Sequence, residues 1–204
     1  MFFVMVILAM TTFPAIRATH EFKETHLSFY AHDFLSGANI TDVAFAGIPG
    51  KTWNYNQFAT VYAEDAPLTE GMDLKSASVG RIQGMFMVSS LDGRNSYDML
   101  SILFTNKKYN GSTLQIQGID KQFEQHRELS VVSGTGKFRF VRGFITCNTV
   151  FVDIPNAYFV TQCNVTVKNT TSKESRMLVI LCIYDETLLA KNYVYWLYYV
   201  SMNI

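Results

Sequence analysis

The sequence predicts an all-β protein, folded as a closed antiparallel barrel or as a sandwich, and three observations support this. Stretches rich in β-branched and aromatic residues recur along the chain, several of them alternating between apolar and polar positions. Turn signals separate these stretches, among them "SGAN", "DGRN", "YNGS" and "DIPN". No segment before residue 168 keeps the 3.6-residue period of an amphipathic helix.

The predicted strands follow this pattern in chain order. They span residues 27–34, 57–64, 79–89, 97–105, 112–118, 137–151 and 157–167. Asn110-Gly111 is a strong hairpin signal between two of them. Residues 36–56, rich in Gly, Asn and Thr, predict a long loop, and a chain of 204 residues is long enough for one domain with its own core.

The composition narrows the range of partners. A hydrophobic fraction of 49% and an aromatic fraction of 14% argue against disorder. The 17 basic and 17 acidic residues cancel, so the chain lacks the net positive field that attracts nucleic acid or an anionic membrane. The charge balance therefore favours a small or apolar ligand, or another protein.

The N-terminus predicts export. An unbroken apolar run over residues 2–10 is followed by Pro14 and small residues near Ala18, which is typical of a secretory signal peptide over residues 1–18. The run is too short to span a bilayer, which takes about 20 residues. Asn-x-Ser/Thr sites support a secreted glycoprotein, and they stand at Asn39, Asn110, Asn164 and Asn169.

The cysteines and histidines indicate no scaffold or metal site. Cys147, Cys163 and Cys182 are too few for a disulfide framework. A Cys147–Cys163 bridge is possible because both flank the "DIPN" turn, and two buried thiols in neighbouring strands fit equally well. The histidines show no metal-ligand spacing, and no G-x-S-x-G or G-x-G-x-x-G motif is present. We therefore expect no metal, no cofactor and no oxidative chemistry of the chain's own.

The stretch "SGTGKFRFVRG" at residues 133–143 superficially resembles a phosphate loop. Gly136-Lys137 is followed by Phe138 where a Walker motif has Ser or Thr, and no helical pattern follows. A turn leading into a strand fits better, and alternation along that strand puts Phe138, Phe140 and Arg142 on one face.

The first predicted strand carries a matching acid. In "LSFYAHDF", Phe29 and Asp33 share one apolar face. An acid and a base on two apolar faces are costly unless they meet each other or a ligand. Spacing alone leaves two alternatives open for Asp33 and Arg142: a ligand pocket inside a barrel, or a buried ion pair that only sets the register.

Six blocks in order resemble the plant dirigent protein family over residues 26–167, which we take as the domain. They are "FYAHD", "EDAPLTEG", "VGRIQG", "YNGSTLQIQG", "RELSVVSGTGKFRFVRG" and "CNVTV". The resemblance implies an eight-stranded antiparallel β-barrel, secretion to the apoplast and assembly as a trimer or dimer. It also implies a role in orienting phenoxy radicals of monolignols such as coniferyl alcohol, so that one lignan enantiomer forms while a separate laccase or peroxidase does the oxidation.

The resemblance also suggests site residues. Asp33 and Arg142 match the family's pocket acid and base and are predicted to be catalytic. The predicted substrate-binding residues are Phe29, Arg81, Phe86 and Phe140.

Departures from the family pattern favour its broader, dirigent-like branch. Lys137 replaces an acid, Phe86 and Val88 replace tyrosines, and Ala66 replaces one of two adjacent acids. Some members of that branch act as lyases or cyclases on isoflavonoid alcohols, where Asp33 would be the general acid and Arg142 would hold a phenolate. A third possibility is a non-catalytic barrel that binds the cell wall.

The C-terminal residues 168–204 have no counterpart in the family and are predicted to be an atypical tail. They hold two apolar bursts, "MLVILCIY" and "YVYWLYYV". These bursts are compatible with an added strand and helix, or with sequence that does not pack.

Overall fold

The computed structural model describes residues 21–171, 178–181 and 196–199. Nine antiparallel strands form one sheet that makes up most of the compact unit Phe22–Thr170. They are β1 (Glu21–Phe34), β2 (Asp42–Ala46), β3 (Val61–Thr69), β4 (Ser78–Val88), β5 (Ser96–Phe104), β6 (Thr113–Asp120), β7 (Arg127–Gly134), β8 (Val141–Asp153) and β9 (Tyr158–Thr171). Over the described ranges the only helical element is a 3₁₀ turn at Gly136–Phe138, and no helix could cross a membrane.

Eight of the strands close into a barrel, which confirms the predicted fold. The sheet runs β1-β9-β8-β7-β6-β5-β4-β3, and β1 closes the ring by pairing with β3 at Tyr30↔Thr69 and Ala31↔Leu68. A side-chain hydrogen bond between His32 Nε2 and Thr69 Oγ1, 2.6 Å long, spans the same seam. The ninth strand, β2, pairs with the first half of β3, so the closing strand β1 covers only the second half.

The remaining described residues form a small sheet of their own. Leu178–Leu181 (β10) and Trp196–Tyr199 (β11) pair antiparallel. The second apolar burst therefore contributes a strand where a helix was one of the expectations. The predicted tail begins within β9, because residues 168–171 extend that strand. The predicted signal peptide at 1–18 and the remaining tail residues lie outside the described residues.

Two strands were missed from the sequence. β2 lies inside the predicted loop 36–56, because a five-residue strand in a Gly-rich segment gives too little alternation to detect. β7 was missed because its apolar pattern is short, with only Leu129 and Val131 fully buried. The Asn110-Gly111 hairpin is confirmed, and Gly111 adopts a φ of 74° between β5 and β6.

One end of the barrel is filled by apolar side chains. Three aromatic rings close this end, with ring centroids 5.2 Å apart for Phe104–Phe138 and 4.9 Å for Tyr109–Phe138. Beside them lie fully buried aliphatic residues of several strands, among them Leu68, Ile102, Leu114, Val131, Val141 and Val165. This end is therefore part of the packed core.

The predicted face of residues 138–142 is wrong. The strand does not run through Gly136–Phe138, which form the 3₁₀ turn, and Phe140 has a left-handed φ of 65°. These irregularities break the alternation, so Phe138 is buried while Phe140 is 77% exposed. Beyond them β8 places Val141 and Ile145 inside and Arg142 outside.

We expect Phe138→Ala and Phe140→Ala to differ sharply in stability. Phe138→Ala removes a ring from the closed end and should lower the free energy of unfolding by about 3–5 kcal/mol. Phe140→Ala removes an exposed ring and should change it by less than about 1 kcal/mol. Urea denaturation of both variants measures the difference. Equal losses would contradict the buried position of Phe138.

Candidate functional site

The other end of the barrel opens into a cavity of about 590 Å³. This volume lies in the range of small-molecule sites. The floor is apolar, formed by Ile82, Leu100, Ile116, Leu129 and Ile145. Around the floor and the mouth stand polar side chains from nearly every strand, together with Phe123 from the loop between β6 and β7.

A cluster of three carboxyls lies on one wall of the cavity. Asp33 is at the end of β1, and Asp42 and Glu64 are directly opposite each other in the β2–β3 pair. One oxygen from each carboxyl lies within 4.8 Å of the others. An oxygen-only set with this spacing suits a hard cation, but protonation lets the same three groups lie together without one.

A second polar cluster contains the only cation that lines the cavity among the described residues. The Arg127 guanidinium donates to Asp120 Oδ2 at 3.1 Å and to Thr149 Oγ1 at 3.0 Å. Close by, the Ser96 hydroxyl donates to Asp98 Oδ1 at 2.6 Å. Arg127 and Asp120 are only 12% and 13% exposed at their side chains, so this is a largely desolvated ion pair.

Burial raises the pKa of the cavity carboxyls. Desolvation raises the pKa of Asp33 to about 6, although the charge of Arg127 opposes the shift. Desolvation and the neighbouring Asp33 raise the pKa of Asp42 to about 8, and burial lifts the pKa of Glu64 well above its usual range. Burial and the charge of Asp120 raise the pKa of Asp98 to about 7. The cavity therefore holds carboxylic acids that keep protons near neutral pH.

An aromatic stack stands beside the acids, and two of its rings, Tyr55 and Phe86, line the cavity. Tyr55 and Tyr62 stack at 4.4 Å between ring centroids, and Tyr62 stacks on Phe86 at 4.8 Å. Several buried polar atoms of the lining have no protein hydrogen-bond partner, namely Asp42 Oδ1, the Tyr55 hydroxyl, Asp120 Oδ1, Gln122 Nε2 and Arg127 Nε. Free donors and acceptors in an aromatic-walled cavity suit a ligand that carries both rings and hydroxyls.

The structure brings two of the predicted site residues to the cavity. Asp33 and Phe86 both line it. Phe29 is 1% exposed and lies in the apolar core rather than in the lining. Phe140 and Arg142 point outward. The expected pairing of Asp33 and Arg142 in one cavity is therefore wrong, because the 3₁₀ turn and the left-handed Phe140 interrupt the alternation before β8.

Arg81 is also outside the cavity. Its guanidinium donates to the Asp65 carboxylate and to the Asp65 backbone oxygen, the latter at 2.8 Å. Both side chains are substantially exposed, at 41% and 53%. Arg81 was predicted to bind substrate, but it forms an exposed ion pair with Asp65 and does not line the cavity.

Sequence reasoning missed Arg127 and Glu64. The signal for Arg127 was present, since Arg127, Leu129 and Val131 alternate on one face of "RELSVV". Glu64 could have been found in the same way, because Tyr62, Glu64, Ala66 and Leu68 share the inward face of β3. Both were overlooked because β7 was not predicted and because β3 was placed about four residues too early.

We expect Asp42→Asn to change how stability depends on pH. The folded carboxyl has a pKa of about 8 and the unfolded one about 3.9. The folded state therefore binds a proton that the unfolded state releases, and wild type loses stability as pH rises between these values. Asparagine cannot ionise, so between pH 5 and about pH 9 the free energy of unfolding of the variant should rise by about 1–3 kcal/mol relative to that of wild type.

Thermal or urea unfolding across this pH range gives the measurement. Ile82→Val serves as the control, because it changes the lining of the same cavity without changing a charge. The difference in stability between this variant and wild type should therefore not vary with pH. Parallel curves for wild type and Asp42→Asn would contradict a carboxyl that stays protonated.

Comparison with known proteins gives a consistent family. A model described as "Dirigent-like protein" matches residues 24–168. Dirigent protein 11 of Arabidopsis thaliana is 38% identical over 122 residues, which cover 60% of this chain and 63%, less than two thirds, of that protein. Pterocarpan synthase 1 of Glycyrrhiza echinata is 37% identical over 141 residues, covering 69% of this chain and 75% of that protein.

A solved structure supports the same assignment. The structure of a pterocarpan synthase dirigent protein matches with a TM-score of 0.68 at 32% identity, covering 80% of this chain and 94% of that one. The family match, the two relatives and the shared β-barrel show that this chain belongs to the dirigent family, in which its relatives include both dirigent proteins and pterocarpan synthases.

Proposed function

We propose that this chain is an acid-catalysed cyclase that removes water from a phenolic alcohol of the isoflavonoid class. One observation carries the proposal. Asp33, Asp42 and Glu64 place oxygens within 4.8 Å of each other, and like charges at that spacing cannot all be ionised. The cavity therefore presents a proton donor at neutral pH, next to an aromatic wall and across from a guanidinium.

Asp33 is the proposed general acid. Asp33 and Glu64 are both partly exposed, whereas Asp42 is 5% exposed, and Asp33 has a pKa of about 6, which lets it give up and regain a proton near neutral pH. The Asp33 carboxyl gives its proton to the leaving hydroxyl, the C–O bond breaks, and water departs. Electrons from the substrate's ring phenolate move to the carbon that lost the hydroxyl, and the product is a quinone methide.

Ring closure regenerates the acid. A second phenol hydroxyl of the substrate attacks the quinone methide carbon, its proton returns to the Asp33 carboxylate, and the ring electrons return to the phenolate. The net change is the loss of one water molecule, so no oxidant or cofactor is needed. Fixing the two reacting groups in one enclosed cavity supplies the orientation that selects one product.

Arg127 takes the role that the sequence suggested for Arg142. Its guanidinium faces the cavity, is close enough to lower the pKa of Asp33, and has a buried Nε without a protein partner. A fixed positive charge of this kind stabilises a phenolate or the charge that develops on it.

Incubating the full chain with a racemic isoflavanol tests the proposal directly. Without an oxidant, we expect a dehydrated, ring-closed product and a preference for one enantiomer of the substrate by chiral chromatography. A heat-denatured sample and the Asp33→Asn variant are the controls. No dehydrated product above the denatured control would overturn the cyclase.

Stereoselective radical coupling is the second candidate, and the two separate polar clusters favour it. One phenolic ring can lie against Asp33, Asp42 and Glu64 while another lies against Asp98, Asp120 and Arg127. In this role a laccase or peroxidase would make radicals from a monolignol such as coniferyl alcohol, and the chain would only orient them. Optically active lignan from coniferyl alcohol and a one-electron oxidant would support it, and racemic lignan would oppose it. Failure of both assays would leave a non-catalytic binding barrel.

The setting proposed for this activity is the apoplast. The segment at 1–18 supports secretion by its sequence, and the possible glycosylation sites Asn39 and Asn110 lie in exposed turns. Asn164 and Asn169 are on β9, both partly exposed. A homo-oligomer is supported by exposed apolar side chains on the outer face of β4–β6, where Met85, Met99 and Ile119 are 42%, 45% and 48% exposed.

A further inference from the structure

Two cysteines face each other on the wall of the cavity. Cys147 on β8 and Cys163 on β9 are directly opposite in the strand register, and their Sγ atoms are 3.4 Å apart. Both residues line the cavity, and both are free thiols in this structure. Cys163 is 3% exposed, whereas Cys147 is half-buried, so a reagent in the cavity reaches Cys147 first.

The backbone geometry suits a covalent bridge. Residues directly opposite on antiparallel strands have Cα atoms about 4.5–5.5 Å apart, which lies inside the range of about 4.4–6.8 Å found for disulfides. The sulfur atoms are already in contact, so a side-chain rotation brings them to bonding distance without moving either strand. This position is a pair built into the sheet, and not a chance approach of two loops.

The surroundings decide how the pair reacts. A hydrogen bond to Cys147 and burial raise the pKa of the Cys163 thiol, while the Arg127 guanidinium opposes that shift. Cys147 is opposite Arg127 in the β7–β8 register, and both residues line the cavity. The thiolate is the nucleophile in thiol–disulfide exchange, so the more accessible Cys147 is the attacking sulfur.

We propose that Cys147 and Cys163 form a cross-strand disulfide in the cavity wall, and that this oxidised pair is the working form of the site. The oxidant is a disulfide such as oxidised glutathione. The Cys147 thiolate attacks it and forms a mixed disulfide, and the Cys163 thiolate then attacks the Cys147 sulfur and expels the second reduced thiol. Two electrons and two protons pass from the cysteines to the oxidant, which leaves as two thiols.

The bridge matters because of the electrophile that the cavity handles, and this part rests on the proposed function. A free Cys147 thiol would add its sulfur to the methide carbon of a quinone methide, and the proton of the thiol would pass to the phenoxide oxygen. The site would then be alkylated by its own intermediate. A disulfide has no thiol to add, so oxidation removes this side reaction without changing the carboxyls or Arg127.

The first test is chemical and needs no substrate. The reduced full chain is treated with oxidised glutathione under native conditions and examined by intact mass and a non-reducing peptide map. We expect a mass decrease of about 2 Da and one linked pair of peptides containing Cys147 and Cys163. The Cys182→Ser variant should give the same link, and Cys147→Ser or Cys163→Ser should abolish it. Two unlinked thiols, or a link from Cys182 instead, would overturn the proposal.

Stability gives a second readout of the bridge. In the Cys182→Ser background, oxidation should raise Tm by about 5 °C, and either further Cys→Ser change should remove the rise. An unchanged Tm after a linked peptide has been found would show that the strands are strained by the bridge, which would contradict the fit of the register.

A third measurement isolates the shielding role. A stable p-quinone methide is incubated with oxidised and reduced Cys182→Ser chain, and adducts are mapped by mass. We expect one adduct at Cys147 in the reduced chain and none in the oxidised chain. A reduced chain without an adduct would overturn the shielding role while the bridge stands. Absence of cyclase activity would count against the proposed function but would leave the linked peptide unaffected.

Discussion

Asp33→Asn is expected to slow turnover of an isoflavanol by about 10²–10⁴-fold, the usual contribution of a positioned general acid. Asparagine keeps the size and one oxygen of the side chain but cannot give a proton to the leaving hydroxyl. Substrate binding should change little, so the loss should appear in kcat rather than in KM. Steady-state kinetics with product quantified by chiral chromatography gives the measurement.

The same variant should not be destabilised. Burial raises the pKa of Asp33 to about 6, so at pH 8 the wild-type group is a desolvated anion and its neutral replacement relieves that cost. Asp65→Asn is the matched control, because Asp65 is an exposed acid that pairs with Arg81 on the outer surface and should keep full activity. An active, well-folded Asp33→Asn chain would rule out Asp33 as the acid.

Arg127→Met is expected to lower the free energy of unfolding substantially. Without Arg127, the buried Asp120 carboxyl must either stay ionised without a partner or take up a proton. Removing one member of a buried ion pair lowers the free energy of unfolding by about 3–5 kcal/mol. Methionine fills a similar volume, so packing loss contributes little. Urea denaturation should show a lower midpoint, and the loss should shrink at low pH, where Asp120 is protonated.

Activity should respond to Arg127→Met as well. Without the guanidinium, the pKa of Asp33 rises further, because Arg127 is the group that holds it down. The limb of the pH–rate profile assigned to Asp33 should therefore move to higher pH, while the rate falls by about 10²-fold through lost phenolate stabilisation. Arg142→Met is the control: Arg142 is exposed on β8, and we expect neither change. Equal effects of the two variants would restore the interpretation based on Arg142.

Much of the fold was accessible from residue patterns. The strands at β4, β5 and β6 were predicted within one or two residues, because each has clear alternation and a strong turn signal at its end. The hairpin at Asn110-Gly111 follows from local backbone chemistry alone. The pattern could not distinguish a barrel from a sandwich, since both alternate in the same way, and the number of strands came from the family resemblance.

The site was only partly accessible. Asp33 was identified correctly as inward-facing because β1 is regular from Phe29 to Asp33, and alternation holds over regular strands. The same argument failed at Arg142, because the 3₁₀ turn and the left-handed Phe140 change the count of residues between Phe138 and β8. No residue pattern in "GTGKFRF" predicts that irregularity.

The sequence by itself determined that this chain builds antiparallel β-structure, that it has an inward acid at Asp33, and that it belongs with the dirigent proteins. The first two properties depend on the residues of single strands, and the third depends on short sequence motifs. The tertiary structure decided which base shares the cavity with that acid, since a guanidinium at Arg127 and one at Arg142 look alike along the chain. Only the closure of β1 onto β3 and the register of the sheet bring Asp33, Asp42, Glu64 and Arg127 into one cavity, because contacts between residues distant in sequence depend on how the strands pair.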